Sequence, residues 1–291
     1  QLVRSAGAAC RIVELIETAE TSASAGAAVC PDARKLPTPS AHGPRLRARN
    51  LSVGWPGGPV VAEGIDLDLR VGSRVAVVGP SGIGKSTLLA VISGDLDPTG
   101  GAVQIDGAPL RDWSQAERAM RRSVLLQSVD VSFPFRVREV VEMGRAPWAG
   151  TGACADDERI VRASLRLTET EEFAERPYTS LSGGERSRSA FARVLAQAAP
   201  IMLLDEPTAA MDVRHQEMVM RRAREYAATG AGVVIVVHAL DVAAAYADRV
   251  ALLDAGRVAA LGAPSEVLTA GLLSRVYRHP IEVVAHPRTG A

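Results

Sequence analysis

The sequence is poor in aromatic residues, carries no net charge and contains no long apolar run. Phe, Trp and Tyr make up only 4% of the 291 residues, which disfavours a stacking platform for single-stranded nucleic acid. Lys plus Arg and Asp plus Glu both total 33, so no overall basic field favours nucleic acid as a partner. No segment approaches the roughly 18 consecutive apolar residues of a membrane span. If the protein works at a membrane, we expect it to dock onto a partner that spans it.

Cysteine is also scarce. The three cysteines, Cys10, Cys30 and Cys154, are far apart and form no Cys-x-x-Cys pair. We therefore expect neither a disulfide framework nor a zinc site, and a reducing cytoplasm fits this usage. The length allows one large α/β domain or two small ones with an ample core.

The first 44 or so residues differ from the rest in composition. Residues 11–17 could form a short amphipathic helix, residues 21–28 are mostly small, and residues 31–39 read as a proline-containing linker. Acidic residues interrupt the apolar part, which makes a poor signal peptide. We expect residues 1–44 to be a flexible extension or a translation-start artefact, with a docking arm as the alternative. The globular domain is expected to span residues 45–291.

A glycine-rich stretch fits the phosphate-binding pattern G-x-x-x-x-G-K-[ST], with an apolar strand before it and an apolar helix after it. The alternative is a glycine-rich turn before an ordinary helix. Backbone N–H groups and the helix N-terminus would bind the β- and γ-phosphates of ATP. Lys85 can reach the phosphate oxygens, and the Ser86 hydroxyl can hold Mg²⁺. The predicted nucleotide-binding residues are Gly79, Pro80, Ser81, Gly82, Ile83, Gly84, Lys85, Ser86 and Thr87.

Two segments before this loop alternate between apolar and polar residues. Residues 46–53 and 65–69 therefore predict two strands of a small antiparallel sheet beside the nucleotide. Trp55 lies in the turn between them and is placed to stack on an adenine ring. The alternative is an exposed turn tryptophan or a hydrophobic plug.

Downstream, the pattern changes from strand to helix. Residues 124–127 predict a buried strand that ends in Gln127, which could contact Mg²⁺ or water at the edge of the phosphate site or could be an ordinary surface glutamine. From residue 133 to about 176 the pattern is helical, which predicts a helical subdomain over about 129–180 inserted into the α/β core.

A second predicted anion-binding nest precedes another helix. Ser182, Gly183, Gly184 and Glu185 stand at the start of the helix predicted from residue 186 to 197. One ATP does not need two such nests from one subunit. We expect the second nest to close over the γ-phosphate bound to a partner subunit.

Two further apolar runs end in chemically active side chains. Residues 201–204 predict a buried parallel strand followed by Asp205 and Glu206. Asp205 suits Mg²⁺ through water, and Glu206 suits a general base for the water that attacks the γ-phosphate. Residues 232–237 predict another buried strand that ends at His238, which could position that water. The alternatives are a strand capped by two acids and a structural histidine.

In order and rough spacing, these motifs resemble those of ATP-binding cassette ATPases over about residues 46–284. The resemblance implies a P-loop core with a small antiparallel β subdomain and an inserted helical subdomain. It also implies a head-to-tail homodimer with two ATP molecules at its interface. Each would contact the phosphate loop of one subunit and residues 182–185 of the other. Residues 209–212 could contribute to contacts across that dimer.

Residues 133–145 resemble the ATPases of iron-siderophore, cobalamin and haem importers, and residues 191–197 with the tail 272–287 resemble the haem-import branch. The resemblance implies a peripheral ATPase on the cytoplasmic face of the membrane, bound to a permease dimer and served by an extracytoplasmic substrate-binding protein. A siderophore or cobalamin cargo is the first alternative. A soluble cassette ATPase that acts on ribosomes or DNA is the second.

The remaining histidines carry no motif. No haem pocket is expected in this chain, because these residues are scattered and are better explained as surface histidines than as iron ligands: His42, His215, His279 and His286.

Overall fold

The computed structural model describes residues 43–55, 57–127 and 134–284. The predictions for residues 1–42, and those that involve Phe133 or His286, lie outside these residues. The described chain divides into two compact units. The first, here called the sheet unit, comprises residues 43–112, 203–206 and 232–284 apart from Pro56. The second, the helical unit, comprises residues 113–127, 134–202 and 207–231.

Strands dominate the sheet unit. Its strands are β1 Leu46–Gly54, β2 Val60–Leu69, β3 Arg74–Val78, β4 Gly100–Ile105, β5 Ala108–Pro109, β8 Gly232–Val236, β9 Arg249–Asp254 and β10 Arg257–Gly262, with the end of β7 Ile201–Asp205. Its α-helices are α1 Lys85–Ser93, α7 Leu240–Tyr246, α8 Pro264–Val267 and α9 Ala270–Tyr277, and a 3-10 turn covers Leu110–Asp112.

One sheet of this unit is antiparallel, with strand order β2-β1-β4-β5. Leu46 of β1 faces Leu69 of β2 on one side and Ile105 of β4 on the other. These three side chains are fully buried. The alternation of buried and exposed positions along β1 and β2 is the period-2 pattern that predicted them.

The other sheet of the unit is largely parallel. Strand β3 lies between β9 and β8 and runs parallel to both, and the carboxyl end of β7 lies beyond β8. Strands β3, β8 and β9 are apolar along almost their whole length and are buried, as expected of parallel strands covered on both faces. Because parallel strands end at the same edge, the residues that follow β3, β7 and β8 meet there.

The helical unit contains one more strand, β6 Arg122–Leu125, beside the start of β7, where the Ser123 hydroxyl donates to the Ile201 carbonyl at 3.4 Å. Its α-helices are α2 Gln115–Arg121, α3 Val137–Glu142, α4 Asp157–Leu167, α5 Gly183–Gln197 and α6 Val213–Ala228. Its 3-10 segments are Met143–Trp148, Gly152–Asp156, Glu171–Phe173 and Tyr178–Ser180.

Helix α5 is the centre of this unit, because α3, α4 and the 143–148 segment all pack against it. Arg145 is buried there and donates to Asp157 at 2.7 Å and to the Ala196 carbonyl at 2.9 Å. A side chain at Gly144 would place its Cβ 2.4 Å from the Arg193 carbonyl oxygen. Only glycine therefore allows this close approach of the 143–148 segment to α5.

The α/β fold class predicted from the sequence is confirmed, including the antiparallel sheet formed by β1 and β2. The strand predicted over residues 124–127 has the expected length of 4 residues but lies two residues earlier, at Arg122–Leu125. It ends at Leu125, and Leu126 is half exposed. Gln127 therefore follows the strand rather than ending it. Among the described residues, no helix is both long and apolar enough to cross a membrane.

Candidate active site

The glycine-rich loop joins β3 to α1 at the edge where the parallel strands end. Gly79 has φ +151°, and a Cβ there would lie 2.6 Å from the Leu253 carbonyl oxygen. Gly84 has φ +99°, and a Cβ there would lie 2.6 Å from Val61 Cγ1. Both positions exclude a side chain by space and disfavour one by backbone conformation. The loop is thereby held against β9 on one side and β2 on the other.

Lys85 is the first residue of α1, and its ammonium group folds back into the loop. Nζ donates to the carbonyl oxygens of Gly79 and Pro80, each at 2.9 Å. Burial lowers the pKa of Lys85 below its ordinary value, while the negative charges of Glu206 and Asp205 oppose that shift. A buried cation beside the loop backbone is well placed to meet phosphate oxygens.

Asp205 is the last residue of β7 and is almost fully buried. Burial raises the pKa of its carboxyl group, and a hydrogen bond from the Ser86 hydroxyl acts in the opposite direction. Its Oδ1 atom has no hydrogen-bond partner among the described residues. A buried carboxylate oxygen without a partner, next to a hydroxyl, is the kind of oxygen donor set that Mg²⁺ prefers. The residues present therefore fit a magnesium ion shared with a nucleotide.

Magnesium is compatible with so few protein ligands because it usually keeps several waters and takes substrate phosphates as well. Among the described residues, no group of three His, Cys, Asp or Glu side chains could hold a metal on its own.

Glu206 and His238 form a pair at the same edge. His238 Nε2 lies 2.6 Å from Glu206 Oε1. An ionised carboxylate only accepts hydrogen bonds, so Nε2 carries the proton and donates it. Glu206 has φ +48°, and its N–H donates to the Val236 carbonyl at 3.0 Å. A non-glycine residue in this left-handed region is uncommon, and the bond to β8 holds the carboxylate in its place.

Trp55 follows β1 and is 61% exposed, in contrast to the buried Trp113 and Trp148. Its carbonyl accepts from the Gly58 N–H at 2.9 Å, which forms the predicted turn. Helix α1 packs against β1 within the same unit. The exposure agrees with an exposed turn tryptophan and leaves the indole accessible, while its stacking on an adenine stays a prediction.

The second predicted nest lies in the helical unit at the start of α5. Ser182 is the N-cap residue, and its hydroxyl accepts from the Glu185 N–H at 3.4 Å. The Glu185 carboxylate accepts from the Ser182 N–H at 2.8 Å, which completes a capping box and lowers the pKa of Glu185. Arg176 also pairs with Glu185 at 3.3 Å. The carboxylate thus serves the helix terminus, while Gly183 and Gly184 present the backbone.

The structure brings together five of the predicted residues in the sheet unit: Lys85, Ser86, Asp205, Glu206 and His238. Gln127 and residues 182–185 belong to the helical unit and are described with it. Gln127 is exposed just after β6.

Comparison with known proteins decides the family. Residues 62–209 match the ABC transporter family. The chain is 55% identical over 255 residues to the hemin import ATP-binding protein HmuV of Streptomyces coelicolor, covering 88% of this chain and 91% of that protein. It is 54% identical to the protein of the same name from Thermobifida fusca, covering 84% and 86% of the two chains. The chain belongs to the ABC transporter family.

Solved structures of ABC transporters share its fold. An inward-facing putative metal-chelate type ABC transporter superposes with a TM-score of 0.73 at 25% identity, covering 86% of this chain and 95% of that chain. A dimeric bacterial ABC transporter cassette gives a TM-score of 0.68 at 28% identity, covering 75% and 98% of the two chains. The chain is accordingly an ATP-binding and ATP-hydrolysing subunit of a transporter, an ABC ATPase.

One residue of this ABC ATPase that no sequence motif singles out lies in a polar cluster. His215 was expected to be an ordinary surface histidine, yet only 19% of its side chain is exposed and it contacts Asp212 and Arg188. The spacing Asp212-x-x-His215 at the start of α6 is a helix-capping pattern and could have signalled the first of these contacts.

Proposed function

We propose that this ABC ATPase powers the uptake of haem across the cytoplasmic membrane. The observation that carries the proposal is the identity of 51–55% to several proteins named hemin import ATP-binding protein, each matched over most of its length. Relatives of this name recur among bacteria as different as Myxococcus xanthus and Pseudomonas putida at 43–46% identity. In this proposal residues 45–291 are the ATPase domain, residues 129–180 its helical subdomain, and residues 1–44 an extension.

In the proposed site the nucleotide lies along the loop of residues 79–87. Loop N–H groups and Lys85 bind the phosphates, and the exposed face of Trp55 stacks on the adenine. The Lys85 ammonium group donates to the Gly79 and Pro80 carbonyls. When ATP binds, the same N–H groups can donate to phosphate oxygens instead.

Ser86 and Asp205 would hold Mg²⁺, and the role of Gln127 as a further oxygen ligand stays a prediction from the sequence. When bound, the ion neutralises charge on the β- and γ-phosphates and fixes their position. The support for this assignment is the buried, unpartnered Oδ1 of Asp205 and the Ser86 hydroxyl beside it.

Glu206 is proposed as the general base. Its carboxylate would orient the attacking water and accept its proton, while Lys85 stabilises the charge that develops on the γ-phosphate. His238 donates to one carboxylate oxygen, which holds the carboxylate in one orientation. His238 can also contact the γ-phosphate once nucleotide is bound.

We further propose a head-to-tail homodimer in which residues 182–185 of one subunit approach the γ-phosphate on the loop of the other. Ser182 would contribute its hydroxyl, and Gly183 and Gly184 their N–H groups. The dimer would sit on the cytoplasmic face of the membrane against a permease dimer, with an extracytoplasmic binding protein delivering the cargo. No nucleic acid is part of this proposal.

A different chelate is the second candidate cargo. The fold match to a transporter described as putative metal-chelate type favours an iron-siderophore or cobalamin importer as the alternative. Both candidates share the ATP site, so only the transported ligand distinguishes them.

The test is the ATPase activity of the assembled transporter in lipid nanodiscs. We expect the haem-loaded binding protein to stimulate ATP turnover above the level given by the unloaded protein. The transporter that contains Glu206→Gln is the control for turnover by other enzymes. Stimulation by a siderophore- or cobalamin-loaded protein, without stimulation by haem, would overturn the cargo assignment. Failure to assemble with any permease would overturn the transport role.

A further inference from the structure

Segment 209–212, between β7 and α6, lies against the start of helix α5. A Cβ at Gly184 would lie 3.2 Å from the Ala210 carbonyl oxygen, and one at Gly183 would lie 3.7 Å from the Ala210 Cβ. The glycines proposed to approach a partner's nucleotide are therefore also the surface on which this segment rests.

A further contact with α5, this time from α6, passes through His215. Asp212 caps α6 by accepting from the His215 N–H at 2.9 Å. The same carboxylate lies 2.8 and 2.9 Å from His215 Nδ1. Because a carboxylate only accepts, Nδ1 carries a proton and donates it. These bonds also lower the pKa of Asp212, so the carboxylate stays ionised.

The other ring nitrogen of His215 faces two guanidinium groups. Nε2 is bonded to Arg188 of α5 and lies 3.1 Å from an amino nitrogen of Arg214. A guanidinium has no acceptor, so Nε2 must be unprotonated and accept. His215 is thus neutral, in the tautomer with the proton on Nδ1. Glu169 is 3.9 Å from Nε2, beyond hydrogen-bond distance, and pairs with Arg214 at 2.6 Å.

Arg188 is the buried end of this chain of contacts. It is 8% exposed, and its guanidinium lies over the Phe173 ring at 5.6 Å. Its Nε has no hydrogen-bond partner among the described residues. The hydrogen bond to His215 therefore helps to compensate this buried cation. A buried charge without hydrogen-bond partners would be costly.

We infer that His215 is a positioning residue that couples segment 209–212 to helix α5 through a relay, Arg188 to His215 to Asp212. The relay holds residues 209–212 and the Ser182–Gly184 nest as one body, so that both reach the partner subunit's nucleotide together. This inference rests on the proposed role of the nest across a dimer. It predicts an effect on turnover at saturating ATP rather than on the binding of ATP to one subunit.

The experiment compares His215 variants in the assembled transporter. His215→Ala removes both bonds, and we expect turnover at saturating ATP to fall tenfold or more, because hydrogen bonds to charged groups are worth about that factor each. The affinity of the isolated subunit for a fluorescent ATP analogue should change less than twofold. His279→Ala, at an exposed histidine outside the relay, is the matched control and should retain full turnover.

Two variants, each with an amide in place of one ring nitrogen, test the relay itself. The amide of His215→Asn can replace the Nδ1 donor to Asp212 but not the Nε2 acceptor. The amide of His215→Gln can replace the acceptor for Arg188 but not the donor. We expect neither to restore turnover, because the coupling needs both bonds. Full rescue by either one would overturn the relay.

A double-mutant cycle with Arg188→Met completes the test. In the Arg188→Met background, His215→Ala should lower turnover by no more than a further twofold. If the two substitutions lower turnover by independent factors that multiply in the double variant, the inference is overturned. It is also overturned if the loss of turnover is explained entirely by a lower melting temperature of the variants. The test of the relay can be distinguished from the test of the proposed function. A wild-type complex without ATP turnover would reject the proposed function. An active wild type together with an equally active His215→Ala variant would reject the relay alone.

Discussion

Replacing Glu206 with glutamine is the sharpest test of the catalytic assignment, because the change removes one charge and leaves the shape. The new amide would keep an oxygen at the position that now accepts from His238 at 2.6 Å. The backbone N–H of the residue would still donate to the Val236 carbonyl at 3.0 Å. The backbone strain at φ +48° is the same for both side chains. We therefore expect the free energy of unfolding to change by less than about 0.5 kcal/mol.

Catalysis should respond far more strongly than folding. An amide cannot accept the proton of the attacking water, and a positioned general base contributes roughly 10²–10⁴ in rate. This corresponds to about 3–5 kcal/mol of transition-state stabilisation. The negative charge of Glu206 also opposes the burial that lowers the pKa of Lys85, so this pKa should fall further in the variant. At neutral pH the effect on ATP affinity should stay within about threefold, since the ordinary pKa of lysine, about 10.4, lies far above that pH.

The assay is phosphate release by the assembled transporter at saturating Mg-ATP, together with ATP affinity and ATP-dependent dimerisation of the isolated subunit. Glu63→Gln is the matched control, because it removes a carboxylate of the same unit that is paired with Arg257 on the surface. Turnover of the Glu206 variant within threefold of the wild type would refute the assignment of the base. A loss of turnover matched by an equal loss of ATP affinity would refute it as well, since it would indicate a binding role.

Three further changes test other parts of the molecule. Lys85→Ala should weaken ATP binding roughly thirtyfold, measured by titration with a fluorescent analogue, because about 2 kcal/mol of charge-assisted bonding is lost. Asp205→Asn should abolish the dependence of ATP binding on Mg²⁺ yet raise the melting temperature at pH 7. The reason is that the pKa of Asp205 is raised in the folded state, so its carboxyl group stabilises the fold only at low pH. That contribution is lost as the pH rises through the folded pKa, whereas an uncharged Asn does not pay the cost of a buried charge at pH 7. Trp55→Ala should weaken adenine nucleotide binding by roughly fivefold or more, whereas Trp55→Tyr should leave it within about threefold; equal affinities in all three proteins would exclude stacking.

Much of the fold follows from local patterns. The alternation in residues 46–53 and the apolar runs at 75–78, 201–204 and 232–237 correspond to strands, because burial of one face or of both faces leaves its period in the sequence. The strand expected to reach Gln127 ends earlier, because Leu126 is apolar but half exposed. Hydrophobicity predicts the tendency to be buried, and it does not reveal where a neighbouring strand ends.

The site could be predicted in part for the same reason. A glycine loop between strand and helix, and acids after a buried strand, are short-range patterns with a direct chemical meaning. The capping box of Ser182 and Glu185 is also short-range, and it places the Glu185 carboxylate at the helix terminus, while the contact of residues 182–185 with a nucleotide stays a prediction. The roles assigned to these side chains remain predictions for the experiments above.

The type and order of the elements and the chemistry at their ends can be predicted from sequence patterns, since backbone conformation and burial depend largely on near neighbours. Which distant side chains meet depends on the three-dimensional arrangement of these elements. Strand order places β8 beside β7, and so His238 reaches Glu206. The contact of His215 with Arg188 of α5 makes this histidine a link between Asp212 and Arg188. Such contacts depend on how strands and helices are arranged in space and on single rotamers, and no local periodicity records either.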